Sequence, residues 1–340
     1  MGSGRARRRL VWVLAAAVLC AAVAEGQSRN RRLRGRVKVD GSSTAAPIVM
    51  ATAELFRAEA PRVQVTVGIS GTGGGFKKFL TERANLRTDI TNASRPIKPA
   101  ELKRAKRLGV EFIEIPVAYD GIAVVVNPAN DWCTHLTIDE LRRIWQPGSQ
   151  IKSWKDIRPG FPDVPLHLYG PGTDSGTFDY FVETVVGRAR ACRGDYTPSE
   201  DDNVLVQGVA GDRGALGYFG YSYYAENKDK LRLVGIKVGD RPPVKPDPQS
   251  IRDGRYHPLS RPLLMYVNKR AYQRPEVRAF MHFLLKNARR IVEDPRVSYV
   301  ALDERLYRAA RERLEAGITG SPLADPANRG KPLEQVYGQP

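Results

Sequence analysis

One unit recurs along this chain: a short apolar strand, a loop crowded with Ser, Thr and Gly, then an amphipathic helix. Residues 37–39 form the first strand and run into Asp40-Gly41-Ser42-Ser43-Thr44. Pro47 suits the first turn of the following helix, whose Ile48, Val49, Thr52, Leu55 and Phe56 share one face. Val63, Val65 and Val67 alternate as in a strand and lead into Gly68-Ile69-Ser70-Gly71-Thr72-Gly73-Gly74-Gly75, then a predicted helix over 76–85. A strand near 89–90 enters Asn92-Ala93-Ser94-Arg95-Pro96 and a basic helix over 99–108, with another strand at 110–115. The second half repeats the theme. A buried strand at 121–126 precedes Thr137-Ile138-Asp139-Glu140, a capping box that opens a helix. A strand at 166–169 runs into Gly170-Pro171-Gly172-Thr173-Asp174-Ser175-Gly176-Thr177 and a helix from Phe178. A last strand at 263–267 and helices near 275–287 and 303–315 complete the pattern. Such alternation predicts α/β architecture, with mainly parallel sheets flanked by helices and ligands held at the carboxyl ends of the strands.

The 340 residues suffice for about two domains. The start reads as an export signal: Arg5, Arg7, Arg8 and Arg9, an apolar run over 10–24, and Ala22-Val23-Ala24 as a cleavage site. The boundaries expected are a signal peptide over 1–24 and a basic leader over 25–36. Cys20 leaves a lipidated cysteine open as an alternative, and the export route is not specified. The formal charge of +17 suits nucleic-acid binding in principle. An export signal argues against that and leaves the other use of a basic surface, attraction of small anions. Cys133 and Cys192 remain beyond the leader, and an oxidising compartment leads to the expectation of a Cys133–Cys192 disulfide. Neither the cysteines nor the four histidines have metal-site spacing.

Four loops carry the chemistry: Ser42-Ser43-Thr44, Ser70-Gly71-Thr72, Ser94-Arg95 and Ser175-Gly176-Thr177. Each precedes a helix, where unpaired backbone N–H groups and partial positive charge favour an anion. Hydroxyls add donors, glycine permits close backbone approach, and Arg95 offers a bidentate fork. Any one loop could be a simple N-cap; four together suggest a site for a small tetrahedral oxyanion. Other readings fail on detail. Phe76 stands where a P-loop needs glycine, and no Ser or Thr follows Lys77. Asp174 occupies the place of the serine in a nucleophile elbow.

At these loops the chain resembles the periplasmic phosphate-binding protein of the phosphate ABC importer, the PstS type. The resemblance covers about residues 37–315. It is carried by Val39-Asp40-Gly41-Ser42-Ser43-Thr44, the 68–75 loop, Asn92-Ala93-Ser94-Arg95-Pro96, Asp174-Ser175-Gly176-Thr177 and Gly214-Ala215-Leu216-Gly217-Tyr218. It implies a two-lobed type II periplasmic-binding-protein fold with two crossover hinges, near 116–119 and 261–264. Lobe one would comprise 37–116 and 263–317, lobe two 117–262, with an irregular tail over 318–340. It implies phosphate binding by Ser43, Thr44, Ser70 (or Thr72), Ser94, Arg95, Ser175, Gly176 and Thr177. No cofactor or enzymatic activity is expected. The partners would be phosphate and a membrane permease, and the protein would be an exported monomer. Two departures stand out. The best-known members carry an arginine where Pro171 stands, and an aspartate where Ser94 stands beside Arg95. The selectivity usually given by that aspartate would fall to Ser94, to another hydroxyl, or to an acid: Asp40, Asp120 or Asp174. Receptors for sulfate or tungstate, and an exported phosphatase, are the alternatives.

Overall fold

A computed structural model describes residues 31–173, 175–188, 191–199, 201–328 and 331–338. The expected signal peptide, Cys20 and Asp174 lie outside these residues. Eleven strands run β1 (Gly35–Gly41), β2 (Val63–Ile69), β3 (Ile90–Ala93), β4 (Phe112–Val126), β5 (His135–Thr137), β6 (His167–Pro171), β7 (Thr197–Ser199), β8 (Ala215–Gly220), β9 (Arg232–Leu233), β10 (Gly235–Lys237) and β11 (Ser260–Asn268). The helices of eight residues or more are α1 (Ala46–Glu59), α2 (Gly71–Phe79), α3 (Pro99–Arg107), α4 (Ile138–Trp145), α5 (Gly176–Val185), α6 (Asp202–Gly211), α7 (Pro275–Lys286) and α8 (Glu304–Glu315). No helix among the described residues is long and apolar enough to cross a membrane.

Nine strands form one sheet in the order β2-β1-β3-β11-β4-β8-β6-β7, with β9 also on β4; β5 and β10 pair separately. The outer groups are parallel: β2, β1 and β3 at one end, β8, β6 and β7 at the other. The central pair β11 and β4 is antiparallel and joins them. Two parallel α/β lobes thus share two crossover strands, the type II periplasmic-binding-protein fold.

The sequence suggests separate strands at 110–115 and 121–126, but the structure has a single fifteen-residue strand, β4, buried along its whole length. Pro116 lacks a ladder donor and would interrupt a regular strand. It is accommodated because it pairs with Leu264 where the register of β11 slips. The first strand begins at Gly35, two residues inside the stretch expected to be a basic leader. The tail is not irregular: two 3₁₀ turns lead to the helix Leu333–Tyr337, whose end residues Leu333 and Tyr337 are buried.

The expected disulfide is not formed; Cys133 and Cys192 are free thiols in different surroundings. Cys133 is buried next to β5, where Arg232 bonds its carbonyl. Cys192 is half-buried beside Arg193, which donates its backbone N–H to Trp145. Burial pushes the Cys133 thiol up to about 12 and the Cys192 thiol to about 11, so neither is a reactive thiolate.

Candidate functional site

A cavity of about 610 Å³ opens between the lobes at the carboxyl ends of the parallel strands. Lobe one contributes Ser42, Ser43 and Thr44 after β1, Gly71, Thr72 and Gly73 at the start of α2, and Ser94, Arg95 and Lys98 before α3. Lobe two contributes one face of α5: Gly176, Asp179, Tyr180, Glu183 and Thr184. Their helical spacing of three and four residues puts these side chains on a single stripe. Arg261 of β11 supplies the floor.

Local packing explains why the loops meet. The Ser42 N–H donates to the Asn92 carbonyl at 3.0 Å, and Asn92 Nδ2 donates to the Ser42 carbonyl at 3.1 Å. This clamps the first loop to the end of β3. The close approach requires Gly41, because a Cβ there would lie 2.0 Å from the Asn92 carbonyl oxygen. Thr72 joins the third loop: its hydroxyl accepts the Ser94 N–H at 3.3 Å and lies 3.2 Å from Ser94 Oγ.

Four expected residues need correction in role. Ser70 is not in the lining. Its hydroxyl donates to Asp40, which also pairs with Lys78 at 2.5 Å, so Ser70 anchors the start of α2. Thr72, the alternative, faces the cavity. Ser175 Oγ accepts the Thr177 N–H at 3.1 Å as the N-cap of α5. Neither Ser175 nor Thr177 lines the cavity, while Gly176 between them does. Arg95 lines the cavity, but its fork grips both Glu101 oxygens at 2.8 and 2.9 Å, and Glu101 also caps α3. Its charge is therefore already paired.

Arg261 was missed by sequence reasoning. Nε donates to Asp120 at 3.2 Å, and Nη2 donates to Thr44 Oγ1 at 2.8 Å and to the Gly176 carbonyl at 3.2 Å. Its guanidinium lies 3.7 Å from the Tyr180 ring centroid. One side chain thus touches the first loop, the start of α5 and the opposite crossover strand. Asp120 is buried and sits directly across from Arg261 in the β4–β11 register. Burial raises its carboxyl above the ordinary range, Arg261 opposes that, and Oδ1 has no hydrogen-bond partner. The signal available was Arg261 at the start of one run expected to cross between lobes and Asp120 just after the other. Of the other acids considered, Asp40 is held by Ser70 and Lys78. Two further carboxylates, Asp179 and Glu183, line the cavity.

The two lobes meet at Gly176. A Cβ there would lie 2.2 Å from Thr44 Oγ1, 2.6 Å from Thr44 N and 2.8 Å from Ser43 Oγ. Hydroxyls, a helix start and a guanidinium therefore converge on one point between the lobes. Such a set binds a small anion through charge-assisted and backbone donors.

Comparison with known proteins agrees with this geometry. The profile of the PBP superfamily domain matches residues 26–288. Protein SphX of Synechococcus elongatus is 43% identical over 89% of this chain and 88% of its own length. The phosphate-binding protein PstS of Staphylococcus saprophyticus is 37% identical over 85% of this chain and 88% of its own. The crystal structure of a possible phosphate binding protein from Planctomyces limnophilus superposes with a TM-score of 0.79 at 45% identity, covering 84% of this chain and 99% of that one. Fold, sequence and cleft together make the chain a member of the PBP superfamily, within its family of PstS-type phosphate-binding proteins.

Proposed function

We propose that this chain binds one inorganic phosphate in the interlobe cleft and presents it to the permease of an ABC-type phosphate importer, as an exported, monomeric, non-catalytic receptor. The observation that carries the reading is the convergence of Ser43, Thr44, Gly176 and Arg261 at the floor of one cavity, with Thr72, Ser94 and Arg95 on its wall. Hydroxyls and amides wrap the anion, and Arg261, held in place by Asp120, adds a guanidinium donor. Each charge-assisted hydrogen bond contributes about 1.5–3 kcal/mol. A few of them reach the roughly −8 kcal/mol that corresponds to micromolar affinity.

Phosphate is preferred over sulfate on chemical grounds. Asp179 and Glu183 supply acceptors in the lining. A protonated phosphate oxygen can donate to a carboxylate. Sulfate has no proton to give and would leave those acceptors facing like charge.

Titration calorimetry and thermal melts with phosphate and sulfate test this. Phosphate at about 100 times its Kd should stabilise the protein by roughly 2.7 kcal/mol, with little shift from sulfate. Equal responses to the two anions would favour a general oxyanion receptor. No response to phosphate would end the proposal.

A further inference from the structure

The carboxylate of Glu114 is fully buried in β4, and donors from the C-terminal segment surround it. Tyr337 Oη donates to Oε1 at 2.6 Å, the Leu323 N–H donates to the same oxygen at 3.2 Å, and the Ser321 hydroxyl donates to Oε2. One more neighbour comes from inside the lobe. Tyr266 stands directly opposite Glu114 in the β4–β11 register, so the two side chains share one face of the sheet, and burial and the Glu114 charge push the Tyr266 phenol above its ordinary range. The Tyr266 hydroxyl oxygen accepts the Ile97 N–H at 2.8 Å. Ile97 closes the loop that carries Ser94 and Arg95. The Tyr266 ring packs edge-on against Phe76 with centroids 4.9 Å apart, and the Arg95 guanidinium lies 5.6 Å from the Phe76 centroid. Bonded, facing and packed neighbours therefore lead from the end of the chain to an arginine of the cleft.

A buried carboxylate is stable only while its lone pairs are filled. The tail donors fill most of them, so the facing Tyr266 hydroxyl is left to accept the Ile97 N–H. Without the tail donors, Glu114 must draw in water or turn to the Tyr266 hydroxyl opposite it, which disturbs the Ile97 contact. We propose that the C-terminal segment is a working part of the binding apparatus. Docked Tyr337 and Ser321 set Glu114, Glu114 sets Tyr266, and Tyr266 positions the 94–97 loop for the anion. Glu114 and Tyr266 are positioning residues that touch no ligand, and this inference rests on the phosphate reading above.

The test uses the full chain, with inorganic phosphate followed by calorimetry and backbone amide exchange followed over the peptide containing Ile97. Tyr266→Phe and Tyr337→Phe each remove one hydroxyl and keep the ring. Tyr307→Phe is the control. It is a buried tyrosine of the same lobe whose hydroxyl bonds the Val117 carbonyl and the Leu302 N–H, with no path to the loop. The two test variants should raise the Kd for phosphate about fivefold, the worth of one net hydrogen bond, and speed exchange at Ile97. The control should lose comparable thermal stability with Kd and Ile97 exchange unchanged. Wild-type affinity in both test variants, or an equal loss in the control, would overturn the inference. A wild type that gives no heat with phosphate would overturn the functional reading instead. The coupling would then be judged on exchange alone: faster Ile97 exchange in Tyr337→Phe upholds it and unchanged exchange refutes it.

Discussion

Gly176 shows what a single position decides in this cleft. It begins α5, lines the cavity and abuts Thr44 from the other lobe. A methyl added there would sit 2.2 Å from Thr44 Oγ1 and 2.6 Å from Thr44 N, distances that real Cβ atoms do not reach. Backbone or lobe must move. The variant Gly176→Ala should hold the lobes apart and weaken phosphate binding at least tenfold by calorimetry. Its melting temperature should stay near wild type, because alanine is a better helix former than glycine. Wild-type affinity would show that closure at this point is unnecessary. The Ser-Gly-Thr run made Gly176 legible in sequence, but not the division of labour within it. Only the structure shows that the flanking hydroxyl caps the helix while the glycine faces the cavity. Arg261 was illegible for a related reason. Its meaning comes from Asp120, which is distant along the chain and adjacent only through strand register.

Elements whose signals are local were read well. The Thr137-x-x-Glu140 box opens α4 as expected: Thr137 Oγ1 accepts the Glu140 N–H at 3.1 Å, and Glu140 accepts the Thr137 N–H at 2.8 Å. Elements defined by distant partners were misread. β4 looked broken at Pro116 because the irregularity is a bulge at Val117 that shows only against its partner β11, and the tail looked irregular because its anchor, Glu114, lies elsewhere in the chain. Glu140 also has a partner that sequence hid, Arg158, at 2.9 and 2.8 Å. Burial alone would raise the Glu140 carboxyl. The Arg158 and Thr137 hydrogen bonds outweigh burial and hold it below its ordinary 4.5. A carboxyl depressed in the folded state adds stability above its unfolded pKa, and that stability is lost as pH falls through the folded value. Glu140→Gln should therefore cost about 1.5–3 kcal/mol in urea unfolding at neutral pH. The gap to wild type should narrow once pH drops below 4.5. A gap that widens in acid would mean that the ion pair does not stabilise the fold.

Taken whole, the molecule has two lobes, and its main core runs through both, with a smaller apolar cluster at each side. A single contiguous apolar cluster includes Val37, Ile48 and Phe56 of lobe one together with Trp145, Phe181 and Tyr218 of lobe two. It is continuous because β4 runs buried through both lobes, paired first with β11 and then with β8. The alternation of strand and helix in sequence announced two α/β units. It could not announce how tightly they are joined, since that depends on which strands share a ladder. Domains linked by flexible tethers unfold separately, whereas here neither lobe can lose its sheet without stripping partners from β4 and β11. Calorimetric unfolding of the ligand-free protein should accordingly give one endotherm with a calorimetric to van't Hoff enthalpy ratio near one, the mark of a two-state transition. Phosphate should move that endotherm upward as a unit, because its proposed contacts come from both lobes and from the crossover strand that carries Arg261. Two resolved peaks, or a phosphate shift confined to one of them, would mean that the shared strands act as a hinge without coupling the stabilities of the lobes.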